Sequence, residues 1–292
     1  MLILDGATGT NLQNMNIPAE AWQGREGCNE WLNLAFPSAI QELHEAFIAA
    51  GSQAIETNSF GANRVTLSEY GLQDRAAEIN HAAAANALSV ARGKNILVAG
   101  SIGPGTKLPT LGHIEPEVLM SAVEEQAEAL LSAGVDMLIL ETCQDLLQVK
   151  LGVAACFSAM RRVTEVPLLV SLTLESSGTM LVGSDIAAAS AMLEPFPIAS
   201  LGLNCATGPD EMESHIRFLH ENWGRPVSCM PNQGLPEIQN GKTVYPLSPS
   251  LFAKKMLGFA KKYSLAYAGG CCGTTPAHIK AMRDAFAGEG LL

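Results

Sequence analysis

The stretch Asp136-Met137-Leu138-Ile139-Leu140-Glu141, followed at once by helical spacing from Gln144 to Val163, decides the fold. A short apolar run reads as a buried strand, and a longer segment with apolar residues three and four apart reads as a helix. The same pair of signals recurs along the chain. Strands are predicted near Leu2 to Asp5, Gln53 to Thr57, Ile96 to Ser101, Asp136 to Glu141, Leu168 to Thr173, Ala199 to Asn204, Pro226 to Met230 and Leu265 to Gly270. Helices are predicted near Ser38 to Ala50, Gln73 to Arg92, Pro116 to Ala133, Gln144 to Val163, Asp185 to Glu194, Pro209 to Asn222, Pro249 to Tyr263 and Pro276 to Ala287. Prolines in first turns and glycines just past the ends, such as Pro116 with Gly134, punctuate them. Eight strand-then-helix units in succession predict an α/β fold, a closed (β/α)8 barrel of the TIM type, in one domain over residues 1–292. A doubly wound open sheet shares most of the pattern, but the count of eight favours closure.

The connections give the barrel a polarity. Those from helix to strand are short, while several from strand to helix are long, notably Gly6 to Pro37, Asn58 to Leu72 and Pro231 to Ser248. Barrel enzymes place their chemistry at the end where strand C-termini emerge. Asp5, Glu56, Thr57, Ser101, Glu141, Asn204, Cys205, Asn232, Cys271 and Cys272 all fall at that end.

Cys271 and Cys272 stand next to each other in Gly269-Gly270-Cys271-Cys272-Gly273-Thr274-Thr275-Pro276. Neighbouring Cα atoms lie about 3.8 Å apart, below the roughly 4.4 Å minimum usual for a disulfide. Two thiolates on one tetrahedral zinc, with bonds of about 2.3 Å, are only about 3.8 Å apart, so sharing a metal is easier than bonding to each other. The flanking glycines supply freedom to turn. Of the other five cysteines, Cys205 in Leu203-Asn204-Cys205-Ala206 is best placed, because it follows strand six while the pair follows strand eight. All three thiols can converge across the barrel mouth. A closed structural zinc site and three inert core thiols are the alternatives, although structural sites usually use Cys-x-x-Cys pairs and none occurs here. Cys28, Cys143, Cys156 and Cys229 read as core or loop residues, with Cys143 two positions past Glu141.

Composition excludes several classes. The chain has 292 residues, 48% of them hydrophobic, enough for a large core. The net charge of -11 argues against a nucleic-acid partner, which needs clustered Lys and Arg. The start Met1-Leu2-Ile3-Leu4-Asp5-Gly6 lacks the features of a secretion signal, and no apolar stretch approaches the roughly 18 to 20 residues of a membrane span. Seven scattered cysteines suit free thiols or metal ligands, which points to the cytoplasm. The six histidines show no ligand spacing, and Gly100-Ser101-Ile102-Gly103-Pro104-Gly105 matches no dinucleotide fingerprint, so it reads as a shaped loop over the mouth.

A family resemblance rests on Leu4-Asp5-Gly6-Ala7-Thr8-Gly9-Thr10, Glu56-Thr57-Asn58-Ser59-Phe60-Gly61-Ala62, Gly100-Ser101-Ile102-Gly103-Pro104, Glu141-Thr142, Gly202-Leu203-Asn204-Cys205, Asn240-Gly241-Lys242-Thr243-Val244-Tyr245-Pro246 and the double-cysteine run. Through these the chain resembles the homocysteine-binding, zinc-dependent barrel at the N-terminus of cobalamin-dependent methionine synthases. The double cysteine with a distant Asn-Cys is similar to homocysteine S-methyltransferases generally. The resemblance implies that Cys205, Cys271 and Cys272 hold Zn2+, with the thiol of L-homocysteine as fourth ligand and Asn232 in that place when substrate is absent. It further implies that Glu141 and Asp5 meet the substrate ammonium, that the backbone of Ala7 and Thr8 lies near its carboxylate, and that Asn204 orients the site. Physical chemistry agrees, since a zinc-bound thiol is deprotonated whereas a free one, with a pKa of about 8.5, is mostly protonated at neutral pH. No Asp-x-His-x-x-Gly stretch of the kind that ligates cobalamin in the multi-module relatives is present. The expected methyl donor is therefore methylcobalamin supplied by a separate module or subunit. A small soluble donor, S-methylmethionine or a betaine, and a non-catalytic zinc-containing barrel are the other readings.

Overall fold

The computed structural model describes residues 1–239 and 242–292. Of the stretches that carry the resemblance, only Asn240 and Gly241 lie outside the described residues. The barrel strands are β1 (Leu2–Ile3), β2 (Ala54–Glu56), β3 (Leu97–Ile102), β4 (Met137–Cys143), β5 (Leu168–Leu172), β6 (Ser200–Asn204) and β7 (Val227–Met230). A hairpin of β8 (Glu237–Gln239) and β9 (Lys242–Val244) intervenes before β10 (Tyr267–Ala268), the eighth barrel strand. Their order, β1-β10-β7-β6-β5-β4-β3-β2, is parallel throughout. The seam between β1 and β2 carries no ladder, yet Gln53 joins it. Its backbone N–H donates to the Ile3 carbonyl at 2.8 Å, and its side-chain carbonyl accepts from the Ile3 N–H at 2.9 Å. The barrel is thus nearly closed.

All eight predicted helices are present: Pro37–Ala50, Ala76–Ala91, Pro116–Ala133, Leu146–Arg162, Ile186–Leu193, Pro209–Asn222, Pro249–Tyr263 and Pro276–Gly288. Pro116 occupies the first turn of its helix, and Gly134 ends it at φ 92, where a side chain would be strained. Strand alternation divides the core in two. Outward residues such as Ile55, Val98, Leu138, Val170, Leu201 and Val227 pack under the helices. Inward residues Leu4, Ala54, Ala99, Met137, Ile139, Leu169 and Met230 fill the barrel. Each fully buried Leu or Ile contributes roughly 1.5–3 kcal/mol. Above this packed floor a cavity opens at the C-terminal ends of the strands.

The long strand-to-helix connections are themselves structured. The first contains a short helix, Thr8–Asn14, the second contains Arg64–Leu67, and the seventh contains the β8/β9 hairpin. No helix among the described residues is long and apolar enough to cross a membrane.

Candidate metal centre and adjoining pocket

Cys205, Cys271 and Cys272 meet at the barrel mouth, their sulfur atoms all within 4.8 Å of one another. Cys205 and Cys272 stand 3.7 Å apart, close to the roughly 3.8 Å between thiolates on one tetrahedral zinc. The donor set therefore fits a zinc ion. These three cysteines are partly exposed, whereas Cys28, Cys143, Cys156 and Cys229 are buried. Cys143 packs into the layer beneath the helices and does not line the pocket.

The turn that aims each thiol differs from expectation. Gly273 does take positive φ, at 81, but Gly269 and Gly270 do not. Their value lies in close approach, since a Cβ at Gly269 would meet the Asp5 carbonyl at 2.9 Å and one at Gly270 the Thr274 side chain at 2.5 Å. The left-handed conformation falls instead on Cys205 and Ala206, at φ 60 and 55. Such residues cost of order 1–3 kcal/mol each and persist only where the surroundings hold them. The Cys205 N–H donates to the Met230 carbonyl at 3.3 Å, and the Thr207 N–H to the Cys205 carbonyl at 2.7 Å. On the other side the Cys271 N–H donates to Pro231 at 2.8 Å, and the Gln233 N–H to the Cys272 carbonyl at 2.9 Å. Hydrogen bonds from Cys205 and then Cys271 hold the Cys272 thiol well below the usual thiol range. Tyr245 stacks over Gly273 and beside Cys272, and burial followed by that sulfur's charge raises its phenol.

A cavity of about 320 Å³ opens beside the cysteines. Ala7, Thr8, Glu141, Asn204 and all three thiols line it, as do Glu30, Glu56 and Thr142. Glu141 is held by two donors, the Ser101 hydroxyl at 2.6 Å and the Asn204 amide at 3.1 Å. Asn204 links much of the site. Its Nδ2 also donates to the Thr142 hydroxyl at 2.7 Å and to the Cys271 sulfur at 3.9 Å, while its Oδ1 accepts the Thr142 N–H at 3.0 Å. Thr142 itself has φ 59, beside the register shift in β4. This bulge explains why β4 runs past Glu141 to Cys143.

Asp5 and Asn232 are buried but do not line the cavity. The Asp5 carboxylate accepts the Glu56 N–H at 3.1 Å. Asn232 lies beside Thr207, and its Oδ1 has no hydrogen-bond partner among the described residues. The Ala7 N–H is taken by the Thr274 hydroxyl at 3.2 Å. Gly103 ends the Gly100–Gly105 segment's approach to the mouth, its N–H donating to the Phe60 carbonyl at 2.9 Å.

Glu56 and Thr142 are the residues whose roles sequence reasoning passed over. Glu56 carried the necessary signal, a carboxylate at a strand C-terminus. Thr142 carried none, because nothing in a threonine marks positive φ.

Burial raises Asp5 from 3.8 to about 8, with the nearby Glu141 charge adding to it. A carboxyl whose folded pKa is raised contributes stability that is complete below its unfolded pKa and lost as pH rises through the folded one. The free-energy difference between wild type and Asp5→Asn, in which shared cysteine titrations cancel, should therefore shift toward the variant between about pH 4 and 8. The expected shift is of the order of a few kcal/mol, measurable by urea unfolding of metal-free protein. A pH-independent difference would show that Asp5 ionises normally.

Residues 2–286 match the family model described as Homocysteine S-methyltransferase. The chain is 43% identical over 293 residues to the methionine synthase of Mycobacterium tuberculosis, covering 98% of this chain and 25% of that protein. The corresponding values for the methionine synthase of Mycobacterium leprae are 42%, 98% and 24%. The chain thus spans about a quarter of the length of these curated relatives. Among solved structures, the metallated form of the homocysteine methyltransferase MmuM from Escherichia coli aligns with a TM-score of 0.77 at 24% identity, covering 97% of this chain and 96% of that one. Its oxidized form gives 0.75 at 23%, covering 97% and 95%. At these identities the likeness establishes the fold.

Proposed function

Because the chain belongs to the homocysteine S-methyltransferase family, we propose that its pocket binds L-homocysteine with the thiol at a Zn2+ ion held by Cys205, Cys271 and Cys272, and that this sulfur accepts a methyl group from methylcobalamin on another module or subunit. The product is methionine. The observation that carries this reading is the juxtaposition of three converging sulfurs with a cavity whose lining, among the described residues, includes three glutamates and no Lys, Arg or His. Such a wall suits an ammonium group next to a thiol.

A zinc ion bound by three thiolates keeps an added thiol deprotonated at neutral pH while leaving it electron-rich enough to attack carbon. The chain's own residues do the positioning. Ser101 and Asn204 hold the Glu141 carboxylate toward the ammonium, and Asn204 ties that carboxylate to the Cys271 sulfur, so the two ends of the substrate are set by one side chain. Such orientation is worth much of the rate in a displacement that needs sulfur, methyl and leaving group in line. Ala7 and Thr8 line the side available to the substrate carboxylate. The unpartnered Oδ1 of Asn232 supports its service as a zinc ligand when substrate is absent. A cytoplasmic setting suits seven cysteines that are all free.

A cavity of about 320 Å³ accommodates an amino acid but no corrinoid, so the donor must approach through the mouth. Zinc-loaded protein mixed with L-homocysteine and free methylcobalamin should yield methionine and cob(I)alamin. S-methylmethionine or a betaine in its place should give none. Turnover with either small donor and no corrinoid, together with inertness toward methylcobalamin, would assign the chain to the soluble-donor reading instead.

A further inference from the structure

The cavity wall holds more carboxylate than a single ammonium contact requires, and its three glutamates are not equivalent. Glu30 is committed to the scaffold, since its Oε1 accepts the Gly61 N–H at 2.7 Å and its Oε2 faces the Cys28 thiol at 3.8 Å. Glu141 has a donor on each oxygen. Glu56 differs. Its carboxyl lines the cavity with that of Glu141, takes no N–H or hydroxyl donor from the described residues, and has the Glu141 carboxyl as the neighbour that acts on it. Asp5 stands behind the pair, bound to the Glu56 backbone. Two buried carboxyls within hydrogen-bonding reach cannot both be ionised at low cost, so a proton bridges them until a cation arrives. Burial followed by the charges of Glu141 and Asp5 pushes Glu56 well above the usual carboxylate range, which makes Glu56 the donor in that pair.

We propose that Glu56 is the substrate-selecting residue of the pocket, gripping the α-ammonium jointly with Glu141. This rests on the reading of the pocket as the homocysteine site. The ammonium brings its own three N–H donors and replaces the bridging proton, which leaves to solvent, so one positive charge enters as one departs. A thiol acid of the same length without an amino group offers nothing to replace it. Asp5, behind the cavity wall, orients Glu56 and does not touch substrate.

Calorimetric titration of the zinc-loaded protein with L-homocysteine and with 4-mercaptobutanoate, which lacks only the amino group, tests this. Glu56→Gln should weaken homocysteine binding at least tenfold and leave 4-mercaptobutanoate within about twofold of wild type. Repeating the homocysteine titration in buffers of different ionisation heat should show wild type releasing about one more proton per ligand than the variant. Equal loss for both thiols, or no loss for either, would overturn the assignment of Glu56. Failure of both thiols to bind the wild-type protein would overturn the reading of the pocket itself, and the Glu56 assignment with it.

Discussion

Cys205→Ser is expected to abolish methyl transfer and to lower zinc affinity by well over 100-fold while leaving the barrel folded. Loss of an outer-shell partner already costs a metal site about 10- to 100-fold, and here one of the three thiolates proposed to bind the ion directly would be replaced by a hydroxyl that stays protonated near neutral pH. The fold has no comparable dependence on that sulfur. Cys205 follows β6, after the ladder between Leu201–Asn204 and Val227–Met230 has ended, and it is held by the backbone bonds to Met230 and Thr207, which serine keeps. Serine is no more strained than cysteine at φ 60. The metal-free variant should therefore unfold within about 1 kcal/mol of the metal-free wild type. Cys229→Ser supplies the opposite pattern. Its side chain is fully buried beneath the helices, so a hydroxyl there should cost stability and spare zinc. Zinc analysis with a competing chelator and thermal unfolding separate the two cases. Global unfolding of Cys205→Ser would mean that the metal site is a structural clamp between β6 and the loop after β10.

The barrel was legible because periodicity and punctuation agree at every repeat. Apolar runs such as Met137–Leu140 and Leu168–Val170 have only strand length, and the first is followed by the long amphipathic segment Leu146–Arg162, the second by the short apolar one Ile186–Leu193. The three thiols were legible because residue type and strand-end position coincide. Other features depend on geometry that no local pattern encodes. Asp5 and Glu56 both sit at strand ends, and the phase of each strand, with Leu4 and Ala54 turned inward, puts Glu56 on the cavity and Asp5 off it. The positive φ of Thr142, Cys205 and Ala206 is imposed by surrounding hydrogen bonds, where sequence reasoning looks to glycine. The hairpin of β8 and β9 is different again. Asn240-Gly241 between Glu237–Gln239 and Lys242–Val244 is a strong hairpin signal in the sequence itself.

Gly202→Ala should destabilise the protein by about 3 kcal/mol or more and weaken the metal site at the same time. Gly202 lies in the middle of β6 with its missing side chain directed into the barrel, paired in register with Ser228 of β7. A Cβ built there overlaps the Ser228 backbone carbonyl oxygen and its hydroxyl. The hydroxyl can rotate away, but the carbonyl belongs to the ladder, so β6 and β7 would have to separate. Overpacking a tight core by even one methyl usually costs about 1–3 kcal/mol, and a clash with backbone belongs at or beyond the upper end. At roughly 2–4 °C per kcal/mol for a chain of this class, the melting temperature should fall by about 6 °C or more. The displacement also reaches the site, because Asn204 and Cys205 follow two and three residues later, and Cys205 hangs from Met230 on the strand that must move. Gly258→Ala is the matched comparison. That helical position faces open space, so the added methyl should be neutral or stabilise by up to about 1 kcal/mol without altering zinc affinity. If Gly202→Ala melted with the wild type, the close approach of β6 and β7 would not be a constraint on the barrel. A Gly202→Ala protein that kept its zinc affinity while losing stability would show that the loop after β6 is positioned independently of the strand beneath it.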